Sequence, residues 1–265
     1  MKLHLPSLQA AAAVALGTPS EKYPLRLVQV IPGRTGRGHR YLATADGKVA
    51  ISAEHHCHEV VKGISLSDGP IVGEVPVAGT ALPRDKRLLI WAPSVPKKRP
   101  SKSEMREGSW IDTEESTLLV WIIDIGAREV RLGGDGPKIP GDVGTTHLTG
   151  VPHLETVLSE FIPSNLHAGT TKRINANFLA LLAEASDLMA RGTFAKFTAF
   201  EQYGDTPSLE WFERERRETT PVLVDLTPQR WHDDTLPQAW AVVMPIQRRD
   251  KDAQFRGIQP VEPTP

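Results

Sequence analysis

The spacing of hydrophobic residues in the first part of the chain predicts a helix followed by strands. Residues 3–5 are predicted to form a short strand, and the alanine- and leucine-rich run after them is typical of a helix capped by Ser7 and ended by Gly17. Beyond this helix, short apolar segments bounded by glycine, proline and polar residues favour β-strands. The predicted strands cover residues 25–31, 40–42, 49–53, 60–66, 72–77 and 87–92.

The middle of the chain has the pattern of a buried strand and two irregular segments. Residues 117–125 form a continuous, β-branched run that is typical of a strand buried on both faces, and residues 127–132 are predicted to pair back on it. The glycine- and proline-rich stretch 133–144 predicts a long turn. Residues 165–171 are polar, so we expect a linker there.

The clearest helical period lies at residues 177–190. Apolar residues recur there every three or four positions, at Phe178, Leu181, Leu182, Ala185, Leu188 and Met189. Asn177 can cap the start of this helix and Gly192 can end it. Further strands are predicted at residues 195–201, 209–214, 221–226 and 240–246. The charged, proline-rich tail at 248–265 is predicted to be disordered.

Composition places the chain among ordinary globular proteins. It has 265 residues, 31 basic against 32 acidic side chains and a net charge of −1, so contact with nucleic acid would need a local basic surface. The single cysteine, Cys57, excludes an intrachain disulfide and fits a reducing cytoplasm. No stretch approaches the roughly 18 apolar residues of a membrane span. Met1 and Lys2, followed by the alanine-rich residues 8–17, also fit a secretory signal, which stays an alternative.

Three short motifs, in chain order, carry a family resemblance. Residues 41–50 read YLATADGKVA, similar to the pattern VATDGHRLA, and their Asp46-Gly47 pair is a strong hairpin signal because Gly47 can adopt positive φ. Residues 151–158 read VPHLETVL, similar to FPDYRRVLP. Residues 239–247 read AWAVVMPIQ, an apolar strand that ends on proline, similar to VVMPMRL. With these segments the chain resembles the β subunit of bacterial DNA polymerase III, the sliding clamp.

The resemblance implies an α+β fold that is DNA-clamp-like. Sliding clamps consist of βαβββ modules paired into domains, with helices on one face of antiparallel sheets and lining a central hole. Here the modules would be residues 3–66, a strand-rich unit at 70–150 and residues 170–247, so the chain would be a shortened, divergent relative. We therefore expect a clamp-like domain at 1–150 and a second, shortened clamp-like domain at 151–247.

The resemblance also implies a hydrophobic groove that holds short peptides of DNA polymerase or other clamp-binding proteins. Its residues would be Leu25, Thr44, Gly47, Lys48, Val49, Pro152, Val157, Val242, Val243, Met244, Pro245 and Ile246. An exposed apolar depression with a flexible methionine suits repeated binding of peptides that contain leucine and phenylalanine. The alternative is that Val242, Val243 and Ile246 are core residues of a strand.

The chain departs from the family pattern at two places. The arginine and leucine that end the clamp strand are replaced by Gln247 and an extended tail, and the histidine-arginine pair of the hairpin is reduced to Lys48. Both changes affect residues next to the implied groove. The affinity for partner peptides is therefore a separate question from the fold.

Basic residues that could contact DNA are scattered along the chain. The candidates are Arg34, Arg37, Arg40, Lys172, Arg173, Arg191 and Lys196, together with Lys97 and Lys98 in a predicted loop. Such residues would make sequence-independent phosphate contacts that weaken as salt rises. A solvated charged face is the alternative. The predicted helix at 7–17 has no basic residue, which disfavours a DNA-facing role for it.

The run from Glu54 to Glu59 contains the only pattern that fits a metal site. On a strand, His56 and His58 would share one face, and a third ligand such as His147 or His153 would have to come from elsewhere. A metal-dependent enzyme using His56 and His58 is therefore an alternative function. We find no nucleophile elbow and no serine-histidine-aspartate order, so we expect no enzyme activity, metal or cofactor.

These patterns together predict a non-enzymatic, cytoplasmic protein that acts as a sliding-clamp-like processivity factor. It would embrace double-stranded DNA as a homo-oligomer and dock replication or repair partners through the groove. A clamp-fold binding module that does not close a ring is the first alternative, and the metal-dependent enzyme is the second.

Overall fold

The chain forms a mixed α+β structure with antiparallel sheets. The computed structural model describes residues 1–19, 26–34, 38–65, 69–98, 101, 109–127, 129–132, 146–149, 154–159, 166–168, 175–189, 198–202, 222–226 and 238–244. This agrees with the predicted fold class at the level of α+β. None of the helices within these ranges combines the length and the apolar character needed to cross a membrane.

Three helices and fifteen strands make up the described part of the chain. The helices are α1 (Leu5–Leu16), α2 (Leu154–Ser159) and α3 (Ala176–Met189), and a short 3-10 turn covers Ala92–Ser94. The strands of the first half are β1 (Lys2–His4), β2 (Leu27–Pro32), β3 (Gly38–Ala45), β4 (Val49–His56), β5 (His58–Ser65), β6 (Gly69–Pro76), β7 (Lys86–Trp91) and β8 (Trp110–Asp112). The remaining strands are β9 (Val120–Asp124), β10 (Glu129–Leu132), β11 (Thr146–Thr149), β12 (Leu166–Ala168), β13 (Thr198–Gln202), β14 (Val222–Asp225) and β15 (Gln238–Val243).

One large sheet organises the fold. It has nine strands in the order β12-β13-β14-β15-β4-β3-β2-β7-β9, with antiparallel neighbours throughout. Three two-stranded sheets accompany it, formed by β1 with β8, β5 with β6, and β10 with β11. The pairing of β15 with β4 joins the late strands of the chain to the early ones.

Helices α1 and α3 cover one face of the large sheet, which we call the helix face. Side chains at alternate strand positions, such as Tyr41, Ile51 and Ile90, point to this face and form the main core with both helices. Helix α1 is buried along almost its whole length. Gly17 comes directly after α1 and lies against α3. A Cβ at this position would collide with the side chain of Leu181.

The opposite face, which we call the outer face, carries two smaller apolar clusters. One lies beneath α2 and consists of Ile31, Leu42, Ala50, Leu154, Leu158, Trp240 and Val242. The other lies toward β9 and consists of Leu27, Leu89, Trp91 and Trp121. Between these clusters the outer face has buried polar and charged residues.

Both long helices begin slightly earlier than predicted, because other residues cap them. His4, rather than Ser7, is the cap of α1, and its ring Nδ1 accepts a hydrogen bond from the backbone N–H of Ser7 at 3.4 Å. The side chain of Asn175, rather than that of Asn177, accepts a hydrogen bond from the backbone N–H of Asn177 at 3.0 Å. Each cap satisfies a donor of the first helical turn.

Three predictions for the middle of the chain were wrong. The strand predicted at 117–125 is not buried on both faces, because β9 is an edge strand in which Ile122 is 67% exposed. Strand β10 pairs with β11 and not with β9. The predicted linker at 165–171 contains β12, which pairs with β13. Each error arose because pairing between distant strands is absent from the local pattern.

The predicted domain division at residue 150 stays a prediction. Strands from both sides of this boundary lie in the nine-stranded sheet, and the main core contains Tyr41 and Ile51 together with Leu182 and Val224. The two segments therefore share one sheet and one core. The predicted strand at 209–214 and the predicted disordered tail lie outside the described residues.

Candidate functional site

The pairing of β4 with β15 brings together residues that the sequence analysis assigned to a peptide groove. Val243 lies opposite Val49, and Val242 lies opposite Ala50. The backbone N–H of Met244 donates to the carbonyl of Lys48 at 2.8 Å. We call this set the docking seam; it comprises Thr44, Gly47, Lys48, Val49, Val242, Val243 and Met244.

A tight hairpin turn forms one side of the docking seam, as predicted. Asp46 and Gly47 have φ angles of 52° and 67°, the left-handed region that favours glycine. The N–H of Lys48 donates to the carbonyl of Ala45 at 2.9 Å. No atom lies within 4 Å of a Cβ built on Gly47, so the tip of the turn is open.

Two threonines hold this turn in place. The hydroxyl of Thr44 donates to the carbonyl of Val49 at 2.7 Å, and the hydroxyl of Thr18 donates to the carbonyl of Thr44 at 3.2 Å. The same Thr18 oxygen accepts from the backbone N–H of Asp46 at 2.9 Å. The turn is thus tied to the end of α1 and has little freedom to change its shape.

Most apolar side chains of the docking seam are buried. Val49 and Val243 point to the helix face and belong to the main core, and Val242 packs beneath α2 on the outer face. Met244 is different, since it is 40% exposed and is one of the few exposed large apolar residues in the described ranges. The side chain of Lys48 is 60% exposed beside it and lies 3.7 Å from a carboxylate oxygen of Asp46.

The remaining predicted groove residues are placed only in part. Val157 belongs to α2, on the outer face of the sheet. Leu25, Pro152, Pro245 and Ile246 lie outside the described residues. The docking seam is therefore the portion of the implied groove that the structure describes.

The two described arginines among the DNA candidates are held by other groups. The guanidinium of Arg34 lies 4.5 Å from the centre of the Trp240 ring, and its backbone N–H donates to Glu54 Oε1 at 2.9 Å. Arg40 is only 3% exposed, so it does not reach the phosphates of DNA from this position. The other candidates, Arg37, Lys172, Arg173, Arg191 and Lys196, lie outside the described residues.

The helices offer no positive charge for DNA. Neither α1 nor α3 contains a lysine or an arginine, and α3 carries Glu184 and Asp187. Among the described residues, exposed lysines of the loop after the 3-10 turn include Lys97 and Lys98. The two long helices themselves offer no phosphate contacts of the kind that a basic pore makes.

Histidines and the cysteine gather at one end of the helix face. The rings of His4 and His55 stack with their centres 3.5 Å apart, and Cys57 Sγ lies 3.5 Å from His39 Nδ1. The hydroxyl of Tyr41 accepts from the backbone N–H of His4 at 2.7 Å. His39 and His55 are direct neighbours across β3 and β4.

Burial keeps this histidine cluster neutral. It lowers the pKa of His39 to about 4 and the pKa of His4 well below the ordinary value, the latter helped by the nearby His55. Burial also raises the pKa of the Cys57 thiol to about 11. A protonated thiol is a poor nucleophile, so the contact of Cys57 with His39 does not make an activated pair.

The metal site that the sequence suggested as an alternative has no set of ligands among the described residues. No group of three or more histidine, cysteine, aspartate or glutamate side chains is arranged to hold a metal ion in the part of the chain that the structure describes. His56 lies at the end of β4 and His58 at the start of β5, while His147 lies on β11. His153 lies outside the described residues.

Sequence reasoning missed a charged cluster on the outer face. Arg40 of β3 and Arg87 of β7 are both buried there, and Arg40 Nη1 lies 3.5 Å from Glu155 Oε1 of α2. The signal was present, because each arginine occupies an alternate position beside apolar residues of a predicted strand. Only the strand order reveals that the two arginines lie in one row of the sheet, on either side of Ile31.

The described residues thus include an exposed apolar side chain at Met244 and two buried arginines, Arg40 and Arg87, on the outer face. These features have different chemistry and involve different side chains.

A comparison of the chain with protein-family models gives no match, and a comparison with curated proteins gives no significant match either.

Proposed function

We propose that this protein is a sliding-clamp-like, non-enzymatic binding protein that docks short partner peptides at the docking seam. The observation that carries the proposal is the antiparallel pairing of β15 with β4, which places Met244 beside Lys48. The resemblance to sliding clamps implied one groove from these two distant segments. Local strand patterns alone gave no reason for them to meet.

The order of the elements supports the same proposal. A strand, a helix and three strands follow one another twice, as β1-α1-β2-β3-β4 and as β12-α3-β13-β14-β15. The two runs meet at the β4–β15 pair, and their helices pack together on one face. One departure is that β1 pairs with β8 and not with the large sheet.

The chemistry of the docking seam suits a short peptide with a large apolar residue. The Met244 side chain is flexible and polarizable, so it adapts to leucine or phenylalanine of a partner. The hairpin beside it is fixed by the bonds of Thr44 and Thr18, and a rigid surface loses little entropy on binding. Lys48 adds a positive charge that favours an acidic residue in the peptide.

The proposal has a larger form, in which several copies of the protein assemble into a homo-oligomer that embraces double-stranded DNA. Within the described strands, the large sheet ends at β9 and β12, and ring closure would require such edges to pair between copies. The absence of lysine and arginine from α1 and α3 favours the smaller form, a binding module without a ring. Light scattering with and without duplex DNA separates the two forms, since only the larger one predicts an oligomer that retains DNA.

Peptide binding measured by fluorescence polarisation tests the docking seam. The probe is a labelled clamp-binding peptide that contains leucine and phenylalanine, titrated with the wild-type protein, Met244→Ala and Leu179→Ala. Leu179 of α3 is a matched control because it is 39% exposed, nearly the same as Met244. We expect micromolar binding that weakens about tenfold or more in Met244→Ala only.

Two results would count against the proposed function. One is the absence of saturable binding to a folded wild-type protein. The other is an equal loss of affinity in Met244→Ala and Leu179→Ala, which would indicate non-specific apolar contact. Circular dichroism of each variant confirms that the comparison is made between folded proteins.

A further inference from the structure

Two buried guanidinium groups lie in one row across the outer face of the large sheet. Arg40 on β3 lies opposite Ile31 on β2. The register of β2 with β7, in which Val30 lies opposite Leu88, places Arg87 on the other side of Ile31. Arg40 is 3% exposed and Arg87 is 2% exposed. Buried cations in such positions need negative or polar partners.

Two guanidinium nitrogens of Arg87 donate hydrogen bonds. Its Nη2 donates to the carbonyl of Ala127 at 2.6 Å, and its Nη1 donates to Gln29 Oε1 at 3.4 Å. Its Nε is buried and has no hydrogen-bond partner among the described residues. Arg87 is therefore held in place by the two hydrogen bonds.

Arg40 is much less satisfied. Its Nη1 lies 3.5 Å from Glu155 Oε1, and both its Nε and its Nη2 are buried without a hydrogen-bond partner in the part of the chain that the structure describes. These two nitrogens form one edge of the planar guanidinium, with N–H bonds directed the same way. That edge matches two oxygens of a carboxylate or a phosphate. The unpaired donors thus define both the place and the shape of a missing partner.

Among the described residues of this cluster, positive charges outnumber negative charges by one. Arg34, Arg40 and Arg87 are positive, whereas Glu54 and Glu155 supply negative charges near them. Burial lowers the pKa of Arg40, and the positive charge of Arg34 lowers it further. Burial lowers the pKa of Arg87 as well. An added anion would offset the cost of burying these cations.

We propose that the outer face contains an oxyanion site, in which the Nε and Nη2 groups of Arg40 bind one carboxylate or phosphate group. Arg34 and Glu155 form the solvent side of this site, since Arg34 is exposed and Glu155 is 46% exposed. Both Arg34 and Arg40 lie over the Trp240 ring, at 4.5 and 6.0 Å, so Arg34 can add a third contact.

This site is separate from the docking seam. Its ligating residues are Arg40 and Arg34, neither of which belongs to the seam. It would exist whether or not a peptide binds at Met244. Failure of one proposal leaves the other intact.

Thermal unfolding at constant ionic strength tests the oxyanion site. Inorganic phosphate and acetate are titrated separately, with sodium chloride making up the ionic strength, against wild type, Arg40→Met, Glu155→Gln and Arg84→Gln. Arg84 is an exposed residue before β7 and serves as the control for loss of one positive charge. Since a ligand at concentration L that binds only the folded state stabilises it by RT ln(1 + L/Kd), the wild-type Tm should rise once the anion concentration exceeds Kd.

The variants should change the response in opposite directions. Arg40→Met removes the paired donors, so the apparent affinity should fall about tenfold or more, whereas Arg84→Gln should match wild type. Glu155→Gln removes a competing carboxylate, so the affinity should rise about threefold or more. A response to phosphate alone, to acetate alone or to both identifies the preferred oxyanion and supports the site.

Several results would overturn the proposal. They are no rise in Tm with either anion at constant ionic strength, or the same rise in Arg40→Met as in wild type. If Arg40→Met does not fold, Glu155→Gln decides the matter, because Glu155 is half exposed and its replacement leaves both arginines in place. An unchanged affinity in Glu155→Gln would then exclude this location for the anion.

Discussion

The helix face and the outer face of the large sheet bury polar groups in different ways. On the helix face, the polar side chains gather at one end, where burial keeps His4 and His39 neutral. On the outer face, Arg40 and Arg87 are buried as cations. Neutral groups can be packed like core residues, but cations need counter-charges. The outer face is therefore the side of the sheet on which an added anion would stabilise the fold.

The largest expected effect compares a core residue from each face. Ile51 on the helix face and Leu42 on the outer face are both fully buried on neighbouring strands. We expect Ile51→Ala to lower the free energy of unfolding by about 2–5 kcal/mol. Leu42→Ala should cost less, because the small cluster under the six-residue α2 can collapse into the cavity. Urea unfolding at pH 7.5 measures both.

Equal losses in the free energy of unfolding for Leu42→Ala and Ile51→Ala would contradict the expected difference in packing between the two faces. The outer face would then be as rigidly packed as the main core. Leu89→Ala, in the second outer cluster, provides an independent measurement of the same face.

Acid should destabilise the helix face through its histidines. The folded pKa of His39 is about 4, below the ordinary value of 6.5, so the unfolded state takes up the proton first as pH falls. The stability that neutral His39 contributes is complete above about pH 6.5 and is lost as pH falls toward 4. By itself this amounts to about 3 kcal/mol.

Unfolding free energies between pH 7.5 and 4 measure this acid effect. The control is His39→Leu, which cannot titrate and should lose less stability over the same range than wild type. The arginines of the outer face stay charged throughout and add no titration of their own. Identical pH profiles for wild type and His39→Leu would show that His39 does not titrate as its burial implies.

A smaller effect on the free energy of unfolding is expected at the turn that joins β3 and β4, which belongs to neither face of the sheet. Gly47 has a φ of 67°, and a Cβ there would touch nothing, so Gly47→Ala reports backbone strain alone. We expect a loss of about 1 kcal/mol in the free energy of unfolding. Gly126→Ala is the matched control, because its Cβ would also be free of contacts and its φ is not in the left-handed region. Equal stabilities of the two variants would contradict the turn geometry.

The smallest effect is expected on the edge strand β9, where Ile122 lies opposite Leu88 of the helix face and Trp121 lies opposite Leu89 of the outer face. Ile122 of β9 is 67% exposed, so Ile122→Lys should change the free energy of unfolding by no more than about 0.5 kcal/mol. Its neighbour Trp121 is buried, and Trp121→Lys should be far more destabilising. Similar costs for both would support the strand buried on both faces that the sequence pattern predicted.

Local sequence features predicted much of the fold but not the pairing of its strands. The Asp46-Gly47 hairpin and the helix containing Leu182 follow from short-range preferences, and both are present. The edge position of β9, the strand β12 and the partner of β10 depend on distant segments. These relationships are set by packing, which a local pattern does not contain.

The two candidate sites also depend on strand pairing that local sequence features do not predict. The approach of Met244 to Lys48 was implied by resemblance, and no periodicity in the sequence predicts it. The proximity of Arg40 and Arg87 requires the register of β3, β2 and β7, so it could be recognised only in the structure. Charged residues inside a predicted strand are the signal that would have drawn attention to it.

The pairing of β15 with β4 also sets the order in which the molecule can fold. Contacts between segments so far apart in the chain form late, because a long loop must close before they are made. Until residues 238–243 leave the ribosome, β4 has an unpaired edge that other strands could bind. The docking seam and the completed sheet therefore arise in one step, and a partner that recognises Met244 beside Lys48 would select chains that have finished folding.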